Sequence, residues 1–368
     1  MNDILQWLVM AEDPRQQAKV KHLMKDIIAI VFFAELAKAD EWIEIYLFAV
    51  ANEIVLRKYL ELPEGIPSHD TIERVFAMVL PEFLQDFRER WNQAMSGKVG
   101  RKIRRMLFLD GKTQRGNGNT EQKANHIVSA VDNNGFCVGE RLVDEKSNEI
   151  TAIPELLKSL NIKGHIVTID AMGCQTDIAG LIRKGKAHYM LGLKGNQGTL
   201  HEDVKEYFDD SRLLSGCAYH KVVDKARSAV EIREYWQTND ISWLVQKKAW
   251  AGLTSIVMTK NTIIKGDITT SETRYFISSL PENVQEAACA IRGHWMVESY
   301  HWHLDVTFRE DANHTLDKAA AYNLNIVKKM ALNTLRLLDV GIPKISLKNK
   351  RFMLNMDFGR YFEKVMAI

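Results

Sequence analysis

Asp110 and Asp170 each close a short apolar run, RMLFLD (105–110) and HIVTID (165–170), and each is followed by a small residue, Gly111 or Ala171. Acids at the ends of core strands stand where α/β folds put their ligand sites, at the carboxyl edge of the sheet. Two carboxylates brought together repel, and a divalent cation relieves that repulsion. Taken singly, each aspartate reads mostly as a cap for its strand or for the helix that follows; two on central strands tilt the balance modestly toward a site. The deciding group lies in AIRGHWMVESYHWHLDVTFRED (290–311). On a helix, His294, Glu298, His301 and Asp305 fall at i, i+4, i+7 and i+11, which is one polar stripe. A solvated face has this composition too, but Trp295 and Trp302 beside it point to a packed helix. Buried carboxylates and imidazoles need partners, and a metal is a natural one. Zinc held by His294, Glu298 and His301 is the rival chemistry, with the HExxH order absent and no cysteine to assist.

The elements that must position these residues follow from hydrophobic period and turn chemistry. From Val20 to about Tyr59 apolar residues recur at helical spacing. Pro63, Gly65 and Pro67 interrupt, Asp70 with Glu73 reads as a capping box, and helical pattern resumes to about Met95. Residues 1–100 are therefore expected to be an all-helical domain. The grammar then changes. RMLFLDG is a strand, and NHIVSAVD and FCVGERLV form a hairpin around Asn133-Asn134-Gly135. TAIPELLKSL is a helix, HIVTIDA a strand, CQTDIAGLIRKG a helix and AHYMLGLKG a strand. Three strands, helix, strand, helix, strand is the order of a ribonuclease-H-like α/β core. Residues 200–280 lose clear alternation and read as a β-containing insertion before the last helical stretch, about 283–338. The core with its insertion is expected over 101–340, and 341–368 as a basic tail.

The chain has 368 residues, 26% of them charged, and a net charge of only +2, so its total charge announces no nucleic acid. The distribution is uneven. Residues 1–100 carry 11 Lys and Arg against 16 Asp and Glu, whereas 315–368 carry 10 against 4. Charge alone favours a plain solvated surface for the tail, but with Lys344, Lys348, Lys350 and Arg351 it is a better electrostatic candidate for a phosphate backbone than the acidic first hundred residues. Arg104, Arg105 and Lys112 flank the first acid and suit non-scissile phosphates. Lys194, with Asn196 and Gln197, suits the same role, although an edge lysine or arginine facing water reads as well. The longest apolar run near the start, Ile27 to Ala34, is too short for a bilayer. With no signal peptide and four scattered cysteines, a cytoplasmic protein without membrane attachment is the expectation. His126, Trp236, Trp243 and Trp250 are expected in the core, and Lys146 to Glu149 at a helix cap.

With these residues in view, the chain resembles the H-repeat-associated transposases of Rhs elements, in the ISAs-type branch of bacterial DDE transposases. The resemblance rests on FLDGKTQRG, NHIVSAV, DEKSNEITAIPELLKSL, TIDAMGCQ, YMLGLKGNQGTL and the IRGHW…HWHLDV-FRED stretch, with GIPSHDTIERVF similar to the family's N-terminal associated domain. It implies a ribonuclease-H-like catalytic fold whose D-G-K acid is Asp110, whose T-x-D-A-M acid is Asp170 and whose H-W-x-[IV]-E acid is Glu298. It also implies two magnesium ions, with manganese as substitute, a homodimer on double-stranded DNA, and terminal repeats and target DNA as substrates. Where the wider superfamily places Tyr-x2-Arg-x3-Glu-x6-Lys, this chain has Ile291, His294, Glu298 and Asp305. His294 thus joins Arg104, Arg105, Lys112 and Lys194 as a DNA-contact candidate. Cutting and joining of element ends is the expected activity. A hydrolysis-only nuclease and a non-catalytic DNA-binding descendant are the alternatives.

Overall fold

The computed structural model describes residues 2–96, 105–144, 147–226 and 229–367. Helices α1 (Asn2–Trp7), α2 (Met24–Leu36), α3 (Trp42–Ala51), α4 (Glu53–Leu56), α5 (His69–Phe76) and α6 (Pro81–Ser96) come first. The cap of α5 differs from expectation: Ser68 Oγ accepts from Thr71 N at 3.4 Å, so Asp70 lies inside the first turn. The capping box belongs instead to α3, between Glu41 and Glu44. Arg104 and Lys146 lie outside the described residues.

Strands β1 (Arg105–Thr113), β2 (His126–Asp132) and β3 (Cys137–Leu142) form an antiparallel meander. At its hairpin Asp132 accepts from the backbone N–H of Asn134 and Phe136, both at 2.9 Å, and Gly135 takes the left-handed φ of 81° that the turn needs. Helix α7 (Glu149–Ser159) leads to β4 (His165–Ile169), and α8 (Thr176–Lys184) to β5 (His188–Leu193); β4 runs parallel to β1 and β5 to β4. The order β3-β2-β1-β4-β5 is that of a ribonuclease-H-like sheet. After α9 (Gly198–Asp209) and α10 (Ser211–Ser215), the expected insertion proves to be four long antiparallel strands, β6 (Ala218–Ala226), β7 (Ala229–Thr238), β8 (Ser255–Lys265) and β9 (Ile268–Ser278). They continue the same sheet through β5–β9 pairing, to nine strands in all. Alternation fails in β9 because its first seven residues are all exposed.

Both faces of the central strands are covered, as parallel strands require. Leu107, Leu109, Val167 and Ile169 pack under α7 and α8, while Phe108, Ile127 and Val131 face α11 (Val284–Val306) and α12 (Lys318–Leu337). Gly293 allows α11 to lie close on β1, since a Cβ there would stand 2.6 Å from the Phe108 ring. The N-terminal helices do not close a core of their own: Phe32, Phe87 and Trp91 share one with α12. Residues 341–368, expected as a tail, hold α13 (Leu347–Met356) and α14 (Phe358–Met366), whose Phe358 and Phe362 rings pack on Phe33. Arg351 is buried there, bonded to Glu35 O at 3.0 and 2.7 Å and to Asp40 at 2.7 Å, and stacked on Phe308. It is therefore a strut between the chain ends and offers nothing to a phosphate. Among the described residues no helix is long and apolar enough to cross a membrane.

Candidate active site

The pairing of β1 with β4 ends at Leu109 and Ile169, so Asp170, just past β4, stands beside Asp110, which does not end its strand as expected but lies within β1, paired with Ser129 of β2. Asp110 Oδ2 lies 3.3 Å from His301 Nδ1, and His301 is 8% exposed with its Nε2 unpaired among the described residues. Asp170 Oδ1 accepts from Met172 N at 3.0 Å and Gly173 N at 3.3 Å, which fixes the turn after β4. Burial pushes the Asp170 carboxyl above the usual carboxylate range; the Gly173 N–H opposes this, and the charges of Glu149 and Asp110 add to the rise. The aspartates are close enough to feel each other.

Helix α11 supplies the rest in the order the stripe predicts. His294 Nδ1 meets Thr168 Oγ1 at 2.8 Å, between the strands. Burial lowers the pKa of its imidazole below the ordinary value, against the pull of Asp110, Glu298 and Asp170. All three candidate acids thus act on one ring. Glu298 is exposed and has no hydrogen bond or ion pair among the described residues. Asp305, at the end of the stripe, takes Lys112 Nζ at 2.7 Å.

The donor chemistry suits a hard divalent cation: three carboxylates, oxygen ligands only, with like-charge repulsion already raising one of them. As the side chains stand, no three His, Cys, Asp or Glu among the described residues are close enough to share one ion. Of the three acids only Glu298 is held by no hydrogen bond or ion pair among the described residues.

The expected phosphate contacts fare differently. Lys112 is occupied by Asp305, by Glu310 at 2.8 Å and by Asp311 at 3.1 Å, with its side chain 11% exposed. Although burial alone would lower its pKa, Glu310 and Asp305 raise it. It clamps β1 to the end of α11 and is not free for DNA. Arg105 begins β1, five residues before Asp110, so it stands roughly 16 Å away at the opposite edge of the sheet. Asn196 Nδ2 donates to Ala171 O at 2.6 Å and Gln197 Nε2 to Cys174 O at 2.8 Å, which makes both amides supports for the turn after Asp170. Lys194, beside them, remains exposed.

Two residues join the site unforeseen. Glu149 opens α7, and its Oε1 lies 2.7 Å from His126 Nε2, whose Nδ1 meets Thr113 Oγ1 at 2.8 Å. A Cβ on Gly111 would stand 2.1 Å from Glu149 Oε1, so the glycine after Asp110 is the gap that admits this carboxylate. His126 is consequently half-buried at the site and not in the core. The signal available in the sequence was the D-G pair itself, a glycine inside a strand where another group approaches closely.

Two family patterns match the chain: "DDE_Tnp_1-associated" over residues 5–92, and "Transposase DDE domain" over residues 101–334, which contains all three acids. The chain belongs to the DDE transposase family. Its relatives include "Putative transposase YncI" of Escherichia coli O157:H7, 36% identical across 100% of this chain and 95% of that one. "H repeat-associated putative transposase YhhI" of Escherichia coli (strain K12) is 32% identical across 100% and 98%. The resemblance read from the motifs is therefore confirmed, together with the ribonuclease-H-like fold. A shorter relative, "Inactive transposase YbfQ" of the same strain, is 32% identical over 75 residues, 20% of this chain and 89% of that one.

Proposed function

We propose that the chain cuts and joins DNA at the ends of an insertion element, using Asp110, Asp170 and Glu298 as ligands for two divalent ions. The observation that carries this reading is the placing of Asp110 beside Asp170 on neighbouring strands with the helix of Glu298 laid across them, His294 bonded to Thr168 and His301 close to Asp110. Magnesium, or manganese in its place, would activate the attacking oxygen and stabilise the departing one in an in-line displacement. Asp110, central between β2 and β4, suits the shared ligand, with Asp170 and Glu298 each completing one ion. His294 and His301 buttress the acids: one ring is tied to Thr168, the other to Asp110. Glu149, held by His126, adds a carboxylate next to Asp110 and Asp170 and favours cation binding further. The partner is double-stranded DNA, both element ends and target, which Lys194 approaches from the end of β5. Synapsis of two ends calls for a homodimer with an isologous interface. The setting is the bacterial cytoplasm, at the nucleoid.

The test is incubation of the purified chain with its flanking terminal repeats and magnesium. Nicks at the repeat boundary followed by joining to a target, both lost in Asp110→Ala, are expected. Cleavage without joining would reduce the protein to a nuclease, and end binding without any cleavage to a DNA-binding descendant.

A further inference from the structure

Beside the acids the sheet presents a second feature, on the face where α11 lies. Register sets it out. Leu193 of β5 pairs with Tyr275 of β9, so Lys194, one residue on, stands next to Arg274. Arg274 in turn stands opposite Thr259 of β8, and Glu272 opposite Asn261. Residues directly opposite share a face of the sheet. A groove runs between this face and the α11 residues Ile291–Trp295, and it includes His294, whose ring is bonded to Thr168, two residues before Asp170. Arg274 is near enough to His294 to add to the lowering of its pKa, and Lys194 near enough to Glu272 to lower that carboxyl's.

The charge state of this groove is unusual. Arg292 lies over the Trp295 ring at 4.2 Å and, among the described residues, has no ion pair. Lys194 has none either. Arg274 pairs with Glu272 through two contacts of 2.8 and 3.0 Å, but those side chains are 43% and 59% exposed. An exposed pair of this kind is weak and readily exchanged for a stronger anion. Arg233, deeper in the groove, is already satisfied by Asp224 and Glu231 and takes no further part. Arg274, Arg292 and the Trp295 indole therefore line the groove, and Lys194 stands beside Arg274 at its edge, on the side of the acids.

We infer that this groove binds the backbone of a DNA strand next to the phosphodiester held at the acids, with Lys194, Arg274 and Arg292 taking its phosphates. The inference rests on the transposase reading above and assigns a task to the four-stranded insertion: it builds the outer wall of the strand path. Arginine suits the role because its planar fork grips a phosphate through two hydrogen bonds. Strand β5 is the immediate neighbour of β4, and β9 the next. With strands about 4.8 Å apart, Lys194 and Arg274 step outward from Asp170 at roughly one and two strand widths. The contacts are to the backbone, so they position the strand without selecting its sequence. An acidic protein segment would also meet the cations, but it has no reason to lead into a cluster of carboxylates.

The experiment measures binding of the full-length chain to a fluorescent duplex carrying one terminal repeat, in EDTA, across a salt series. Each lost phosphate contact lowers the slope of log affinity against log salt by about one. Arg274→Gln and Arg292→Gln are each expected to reduce the slope by about one and the low-salt affinity by roughly tenfold. The double variant should lose about two. Lys163→Ala, on an exposed loop at the far edge of the sheet, is expected to change neither, and thermal melts confirm that each variant folds. Wild-type slope and affinity in the folded double variant would overturn the inference while leaving cleavage by the wild type, and so the transposase reading, intact. Displacement of a polyglutamate peptide but not of DNA in the variants would also overturn it, in favour of a protein partner. A wild type that binds no terminal-repeat DNA at all would remove both.

Discussion

Replacing Lys112 by methionine separates two roles that the sequence alone left open. If Lys112 held a non-scissile phosphate, its loss would weaken DNA binding and leave the fold untouched. The structure instead places its ammonium among Asp305, Glu310 and Asp311, and Glu310 is 3% exposed. Removing the cation strands a buried carboxylate, which costs about 3–5 kcal/mol. The pKa of Glu310 gives a second route to the magnitude. Burial would raise it, yet Lys112, with Lys328 and Lys329 adding to its pull, outweighs burial and holds it at about 2 against an ordinary 4.5, so the depression is an upper bound on what Lys112 supplies. At roughly 1.4 kcal/mol per unit, that depression corresponds to roughly 3 kcal/mol. A carboxyl depressed on folding contributes its full stabilisation above its unfolded pKa and loses it as pH falls through the folded value. The gap in urea-unfolding free energy between wild type and Lys112→Met should therefore be about 3 kcal/mol at pH 7. It should shrink between about pH 4.5 and 2. A gap below about 1 kcal/mol, the worth of an exposed pair, together with a lower salt slope for DNA, would show that Lys112 is a solvated phosphate ligand and refute the reasoning.

Three further outcomes follow from the packing. Gly293→Ala puts a Cβ 2.6 Å from the buried Phe108 ring; overpacking of about 1–3 kcal/mol should exceed the roughly 1 kcal/mol of helix propensity gained, and a rise in melting temperature would contradict this. Gly111→Ala displaces Glu149 from His126, so DNA cleavage should fall at least tenfold with near-native stability, whereas wild-type cleavage would remove Glu149 from the site. Truncation after residue 340 uncovers Phe33 and removes Arg351 from Glu35 and Asp40. It should unfold the N-terminal helices by circular dichroism and not merely weaken DNA binding, and a truncated chain with an unchanged melt would show that the last segment is a tail after all.

How much of this was legible beforehand depends on distance along the chain. Asp170 was visible because a strand that ends in an acid is a local pattern; the same pattern found Asp110, although its strand runs on to Thr113. The stripe from His294 to Asp305 was visible for the same reason, since helical period alone puts the four on one face. What escaped depends on contacts between remote segments. Nothing local says that Arg351 reaches Glu35, or that Asp305 and Glu310 take Lys112 away from DNA. Arg105 looked close to Asp110 in sequence, yet five residues of extended strand carry it to the other edge of the sheet. The strands β6 to β9 were obscured because much of their length stands in solvent, which erases the alternation that burial imposes. Glu149 reads as a cap residue in the sequence because its neighbour Asn148 is one: Asn148 Oδ1 accepts from Ile150 N at 3.0 Å.

The central claim is that Asp110, Asp170 and Glu298 close on cations, and manganese binding measured by electron paramagnetic resonance tests it most directly. The wild-type chain on uncleaved terminal-repeat DNA should bind manganese, and Asp110→Ala, Asp170→Ala and Glu298→Ala should each bind it at least tenfold more weakly. Wild-type manganese affinity in folded Glu298→Ala would contradict the account, because the helical acid would then stand apart from the two on the strands.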